Sequence, residues 1–372
     1  MSSEPRLRVA LDATSSLGVR TGVGNVAGGL LEHLAARTDL DVTAFAITWR
    51  GRNRLAGTLP PSVHAATRRF PARLTRALWP RIAWPRVERW TGPVDVVHSL
   101  HVAPPARAPV LLTVHDLTHI RYPELSSPEA RHYPRLVQVA VDRGATIHTY
   151  SQFVAAEVRD HYRLPAERVV TIAPGLDARP TGDAARGRGL AGSERYVLAV
   201  GTVEPRKNLP TLVRAFDALA ATDRDLALVV AGPDGWGVQA FRAAVARAGH
   251  GDRVRRPGWL DDRSRDDLLA GASVLAYPSV YEGFGLPPLE AMRAGIPVVA
   301  SNAGPLPEVL GDAALLIDPG DADELASALA RVLDDEQLRR QLSERGRARV
   351  ARYGWDGSVE RFAATYRALG RR

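Results

Sequence analysis

The stretch Tyr196-Val197-Leu198-Ala199-Val200-Gly201-Thr202 decides the fold. It is a strand-length run of apolar residues without polar alternation. A strand of this kind is buried on both faces, as in a parallel sheet with helices on either side. The polar turn Glu204-Pro205-Arg206-Lys207-Asn208 follows, and then the helical pattern Leu209–Leu219. The same order continues through Leu226–Ala231, Val254–Pro257, Ser273–Pro278, Pro297–Ser301 and Ala314–Ile317. Toward the N-terminus a first series runs through Leu7–Ala13, Val42–Thr48, Val63–Thr67, Val94–Leu100, Val110–Asp116, Thr146–Ser151 and Val169–Ala173. Helical patterns such as Val23–Arg37 and Phe153–Tyr162 lie between these runs. Strands alternating with helices predict an α/β chain of two doubly wound parallel sheets. Asp177–Ser193, rich in Gly, Ala, Arg and Asp, reads as the linker between them. Two such domains would form a cleft at the carboxyl ends of their strands.

A chain of 372 residues fits two domains of ordinary size. The absence of cysteine excludes disulfides, thiolate metal ligands and a cysteine nucleophile. No secretory h-region and no apolar run near membrane-span length is visible, so a cytoplasmic protein is expected. The net charge of +8 favours anionic partners. Lys207 is the one lysine beside 48 arginines.

Tyr281-Glu282-Gly283-Phe284-Gly285-Leu286-Pro287-Pro288-Leu289-Glu290 carries the densest chemistry. Pro287 and Pro288 suit the first helical positions, where a missing N–H costs nothing. A glycine loop entering a helix start presents N–H groups and the positive dipole end, which suits a diphosphate. Glu282 and Glu290 bracket the loop; as carboxylates they suit hydroxyl groups better than phosphate. A sugar nucleotide offers both. The bland alternative is a turn with two solvated glutamates. Arg206 and Lys207, at the end of the first strand of the second series, are placed to neutralise a leaving diphosphate.

Gly22, Gly24 and Ala27 satisfy G-x-G-x-x-A, but the loop after the first strand is too long for a dinucleotide fingerprint. A glycine loop lining a cleft is the better reading. His115 stands at the carboxyl end of a strand, where ligands bind, though a buried core histidine is the ordinary alternative. Arg68–Trp90 holds seven arginines, one acid and three tryptophans. It suits an anionic membrane surface or an acceptor, or else a solvated face with packed tryptophans. Asp321-Ala322-Asp323 reads as a helix cap rather than a metal motif, and no His/Glu cluster has ligand spacing.

Taken together, Tyr196–Phe216, the Gly258-Trp259-Leu260 turn and Ser279–Leu316 with its E-x7-E motif resemble the retaining glycosyltransferases of family 4. Gly22–Asn25, His115-Asp116 and Thr149–Val154 carry a weaker resemblance in the first half. The resemblance implies the GT-B fold, two Rossmann-like domains facing across a cleft. These would be an acceptor domain over 1–177, a donor domain over 178–355 and a final helix, 356–372, packing back on the first. It implies a metal-independent enzyme moving a hexose, mannose or a related sugar, from a nucleotide-diphosphate sugar to a glycan, glycolipid or small-molecule hydroxyl, with retention. It implies catalytic roles for His115, Arg206, Lys207 and Glu282. Donor-binding roles fall to Gly22, Gly24, Gly201, Leu260, Phe284, Gly285, Leu286 and Glu290. No cofactor, metal or nucleic acid is expected, and peripheral membrane contact would run through Arg68–Trp90. Two other readings stay open: a nucleotide-sugar epimerase on the same fold, and a membrane-surface protein on a degenerate transferase scaffold.

Overall fold

The computed structural model describes residues 6–17, 22–48, 52–66, 78–177 and 182–371. The chain divides into two compact units. The first comprises residues 1–117, 131–177 and 353–372, and the second residues 118–130 and 178–352.

The first unit holds a seven-stranded parallel sheet. Its strands are β1 (Leu7–Asp12), β2 (Leu40–Phe45), β3 (His64–Ala66), β4 (Val96–Ser99), β5 (Val110–Thr113), β6 (Thr146–Thr149) and β7 (Val169–Thr171). Their order is 3-2-1-4-5-6-7, so the direction of winding reverses between β1 and β4. Helix α1 (Gly22–Ala35) follows β1. Its buried face, including Val26, Leu30, Leu31 and Leu34, recurs at helical spacing. Gly22 and Gly24 stand in the first turn of this helix, and Gly24 is buried. The glycine loop expected there is thus already helix by Gly22; Thr21 lies outside the described residues. Helix α2 (Gln152–Tyr162) is capped by the Ser151 hydroxyl, which accepts from Val154 N–H at 3.2 Å.

The second unit holds a six-stranded parallel sheet of β8 (Arg195–Val200), β9 (Leu226–Ala231), β10 (Val254–Gly258), β11 (Val274–Tyr277), β12 (Val298–Ser301) and β13 (Leu315–Ile317). The order is 10-9-8-11-12-13, with the reversal between β8 and β11. β8, β9, β11 and β12 are apolar along almost their whole length because helices cover both faces. The expected linker is corrected in part. Residues 184–191 form helix α3 (Ala184–Ala191), capped by Asp183. A Cβ on Gly187 would lie 1.9 Å from the Asp267 carbonyl oxygen. The helix therefore packs by backbone approach and shows no apolar stripe. Then come α4 (Leu209–Ala220), α5 (Asp262–Gly271), α6 (Leu286–Arg293), α7 (Ala322–Asp334) and α8 (Glu336–Val350). Asp321 caps α7 through Asp323 and Glu324 N–H, so the D-x-D pattern is a cap.

Residues 118–130 were expected in the first domain but belong to the second unit. The Trp236 indole donates to Leu125 O at 2.9 Å, and the Tyr122 ring packs on Tyr281 with centroids 5.5 Å apart.

Helix α9 (Trp355–Gly370) belongs to the first unit. Trp355 fills the space left by Gly29 and Gly175, where a Cβ would clash at 2.3 Å. Beneath α9 a buried polar chain crosses the sheet. His148 Nε2 lies 2.9 Å from Ile172 O, which can only accept, so this nitrogen carries the proton. The remaining directions follow. Thr113 donates to His148 Nδ1 at 2.9 Å, His98 Nε2 donates to Thr113 at 2.9 Å, and Tyr366 donates to His98 Nδ1 at 2.7 Å.

Candidate functional site

In a doubly wound sheet the loops leaving the two strands at the reversal splay apart and leave a crevice at their carboxyl ends. In the second unit these are the loops after β8 and β11. After β8, Gly201 turns the chain at φ +147°, and a Cβ there would meet Lys207 Cε at 3.3 Å. A single 3-10 turn, Pro205–Lys207, leads to Asn208 in the left-handed region at φ 53° and so into α4. After β11 the chain passes through Ser279 to Glu282. Val280 N–H donates to Arg206 O at 2.8 Å and ties the two loops together.

The tie brings three expected residues into contact. Glu282 Oε2 accepts from Arg206 Nη1 at 2.5 Å, and Oε1 accepts from Lys207 Nζ at 2.6 Å. Lys207 also donates to the Tyr277 hydroxyl at 2.6 Å, and Arg206 Nε donates to Glu204 Oε2 at 2.8 Å. Lys207 and Glu282 are 8% and 5% exposed. Burial pushes the Glu282 carboxyl up, but Arg206 and Lys207 outweigh it and hold the group at about 2. Burial pulls Lys207 below the ordinary lysine value, against the attraction of Glu282. Glu282 is thus an ionised clamp on two cations. The sequence suggested a carboxylate open to hydroxyl groups; in this structure both of its oxygens are engaged.

Phe284 is buried, and Gly285 sits at φ +109° as the N-cap of α6. Leu286 opens the helix, and Pro287 and Pro288 occupy its start as the sequence predicts. A Cβ on Gly285 would approach Leu306 Cδ2 to 2.7 Å, so both the backbone angle and the space require glycine. Glu290, on the same helix, lies 3.6 Å from Arg265 Nη2. Burial raises its pKa, with Arg265 and Arg293 opposing. The two motif glutamates therefore sit in opposite electrostatic settings. Leu260 lies half-buried in the separate turn between β10 and α5.

In the first unit, Asp12 ends β1 at the other reversal. It is buried and accepts from Thr14 N–H at 2.9 Å and the Thr14 hydroxyl at 2.5 Å. Burial raises its pKa, partly offset by those bonds. His115 lies two residues past β5. Its Nε2 is 2.6 Å from Leu100 O and so carries the proton. Its Nδ1 is buried without a partner among the described residues. Burial pulls the ring down to about 4, so at neutral pH it is uncharged and Nδ1 is an acceptor.

Sequence reasoning did not single out Tyr277, Glu204, Asp12 or Arg265. Glu204 is two residues before Arg206 in a motif already in view, whereas Tyr277 reads only as the last apolar residue of its strand. Among the described residues no group of three or more His, Asp or Glu is placed to hold a metal ion.

The family profile described as Glycosyltransferase Family 4 matches residues 20–179, and that described as Glycosyl transferases group 1 matches residues 183–349. O-antigen chain mannosyltransferase B of Escherichia coli is 33% identical over 265 residues, 69% of this chain and 70% of that protein. MMP alpha-(1->4)-mannosyltransferase of Mycolicibacterium hassiacum is 32% identical over 229 residues, 59% of this chain and 53% of that protein. Among solved structures, sucrose-phosphate synthase from Thermosynechococcus elongatus superposes with a TM-score of 0.77. It is 23% identical, covering 98% of this chain and 99% of that one, and the likeness is one of fold. The chain belongs to glycosyltransferase family 4 and is a glycosyltransferase of two Rossmann-like α/β units.

Proposed function

We propose that the chain moves a hexose, mannose or a close relative, from a nucleotide-diphosphate sugar to an acceptor hydroxyl of a glycan or glycolipid. Configuration at the anomeric carbon is retained and no divalent cation takes part. The observation that carries this reading is the Arg206–Lys207–Glu282 cluster at the reversal of the second sheet, beside the start of α6. The mannosyltransferase names of the two relatives support the sugar class.

In this structure Glu282 holds two cations from a buried position. An arriving diphosphate competes for them and frees the carboxylate to accept hydroxyls of the transferred sugar. As the glycosidic bond breaks, charge builds on the leaving phosphate. Arg206, Lys207 and the backbone at Phe284, Gly285 and Leu286 stabilise it, replacing the charge a metal would supply. Loss of one preorganised donor of this kind costs roughly 3–4 kcal/mol of barrier. With no protein nucleophile among the assigned groups, the acceptor attacks from the side the phosphate leaves, and that phosphate takes the proton. Glu290 is assigned to the ribose and the backbone at Leu260 to the base. Gly201, Gly22 and Gly24 are assigned to backbone approach to the donor. His115 Nδ1 is assigned as acceptor for a sugar hydroxyl.

A peripheral membrane contact on the cytoplasmic face is part of the proposal. Within Arg68–Trp90, residues 68–77 lie outside the described residues. In the rest, Ile82 and Trp84 are 44% and 59% exposed beside Arg81, Arg86 and Arg89, while Trp79 is buried. Exposed apolar groups flanked in sequence by arginines, with Arg89 over the Trp84 ring, suit an anionic lipid surface. Among the described residues no helix is long and apolar enough to cross a membrane.

The test is a thermal-shift screen of GDP-mannose, UDP-glucose and ADP-glucose, followed by NMR of the product's anomeric proton. A ligand at 100 times its Kd adds about 2.7 kcal/mol to stability. One nucleotide sugar should stabilise the protein and yield an axial product from an axial donor. Inversion, or conversion of the donor's sugar without acceptor, would overturn the proposal.

A further inference from the structure

A cavity with mixed polar and apolar walls lies at the opposite end of the second unit's sheet. Its volume is about 580 Å³. Arg195 opens β8, Ser273 precedes β11 and Pro297 precedes β12, so the cavity sits at the amino ends of the strands. Helix α8 forms the facing wall. Four arginines line it, Arg195, Arg339, Arg340 and Arg347, together with Glu336 and Glu344.

Three of the arginines are fixed by the protein. Arg195 pairs with Asp223 at 3.2 Å and Asp334 at 3.0 Å. Arg339 donates to Leu333 O at 2.7 Å, at the end of α7. Arg340 pairs with Glu336 one turn earlier on α8. Arg347 differs. Among the described residues it forms no ion pair, and its side chain donates no hydrogen bond. Its guanidinium lies against Gly295, where a Cβ would come within 2.3 Å of Nη2. Gly295 sits at φ +78° after α6, and its carbonyl accepts from Ser343 at 2.6 Å. Arg347 is exposed, its guanidinium lies over this left-handed turn, and it has no anionic partner among the described residues.

We propose that this cavity binds a phosphorylated sugar or a similar small phosphate ester, at a site separate from the donor loops. Guanidinium groups match phosphate oxygens through paired donors. Glu344 supplies an acceptor for hydroxyl groups. The volume lies within the range of small-molecule sites and far exceeds a lone phosphate.

The test is calorimetric titration of the full chain with glucose 6-phosphate and, separately, with inorganic phosphate. Glucose 6-phosphate should bind saturably at one equivalent and more tightly than phosphate. Arg347→Ala should weaken it at least tenfold, and Arg347→Glu should abolish it. Because Arg347 makes no side-chain hydrogen bond among the described residues, both variants should keep the wild-type circular dichroism. Arg206→Ala, in the donor loops, should leave the affinity within about twofold. The proposal is overturned by an absence of saturable binding up to about 10 mM. It is equally overturned if Arg206→Ala abolishes binding while Arg347→Ala leaves it intact, since the ligand then occupies the donor loops.

Discussion

Glu282→Gln keeps the shape of the side chain and removes its charge. In the wild type both carboxylate oxygens accept from cations, at 2.5 and 2.6 Å. A glutamine offers one oxygen and one NH2 group, so one of the two cations faces a donor. Breaking a buried pair from one side typically costs about 3–5 kcal/mol. A second route gives a similar figure. A carboxylate held at about 2 instead of its ordinary 4.5 is worth about 3 kcal/mol. The burial cost already borne by Lys207 reduces the net, so a loss of about 2–3 kcal/mol is expected at pH 7. The sign with pH is fixed by the lowered value. The contribution is complete above 4.5 and drains away as pH falls through about 2. Urea unfolding of wild type and variant, followed by circular dichroism, measures the difference at pH 7 and pH 3. It should shrink toward acid. A nucleotide diphosphate should stabilise the variant more than the wild type, because it restores the missing anion. A difference below about 1 kcal/mol at pH 7, or one that does not change with pH, would refute the ionised clamp.

Lys207→Arg retains charge but adds atoms in a buried site where a Cβ on Gly201 would already come within 3.3 Å of Lys207 Cε. Turnover should fall at least tenfold, and wild-type turnover would show that the ammonium's size is irrelevant. Tyr366→Phe leaves His98 Nδ1 buried and unpaired, so unfolding in urea should show a loss of about 1–3 kcal/mol. Burial holds His148 at about 3 and His115 at about 4, below the ordinary 6.5. Both are neutral when folded, so stability should be complete above pH 6.5 and fall toward pH 4 by about 1.4 kcal/mol per pH unit for each. A flat stability profile between pH 7 and pH 5 counts against their burial as neutral rings.

Both sheets were legible in the sequence because unbroken apolar runs mark strands covered on two sides. Leu226–Ala231 is met residue for residue. Other strands end earlier than their apolar runs. Val114 and Leu117 are buried past the end of β5, so core packing continues where the ladder stops. Helix α3 reads as linker in the sequence because its contact is glycine against backbone, which leaves no apolar signature. The allegiance of 118–130 depends on Trp236 and Tyr281, more than a hundred residues away, and no local pattern encodes it. The two site motifs were each visible. That Glu282 clamps Arg206 and Lys207 was not, because the contact spans 75 residues and follows from the 1-4 adjacency of β8 and β11.

The proton directions beneath α9 bear on the order in which the chain can fold during synthesis. His98 on β4 takes its last partner from Tyr366, 268 positions later. The second unit ends at residue 352, whereas the first unit includes residues from 353 onward. A ribosome adding about 5–20 residues per second would present β4 for many seconds before α9 exists. During that interval His98 has no tyrosine and the site of Trp355 against Gly29 and Gly175 is unfilled. The N-terminal unit should therefore be the later of the two to gain protection from proteolysis on stalled nascent chains, although its strands are made first.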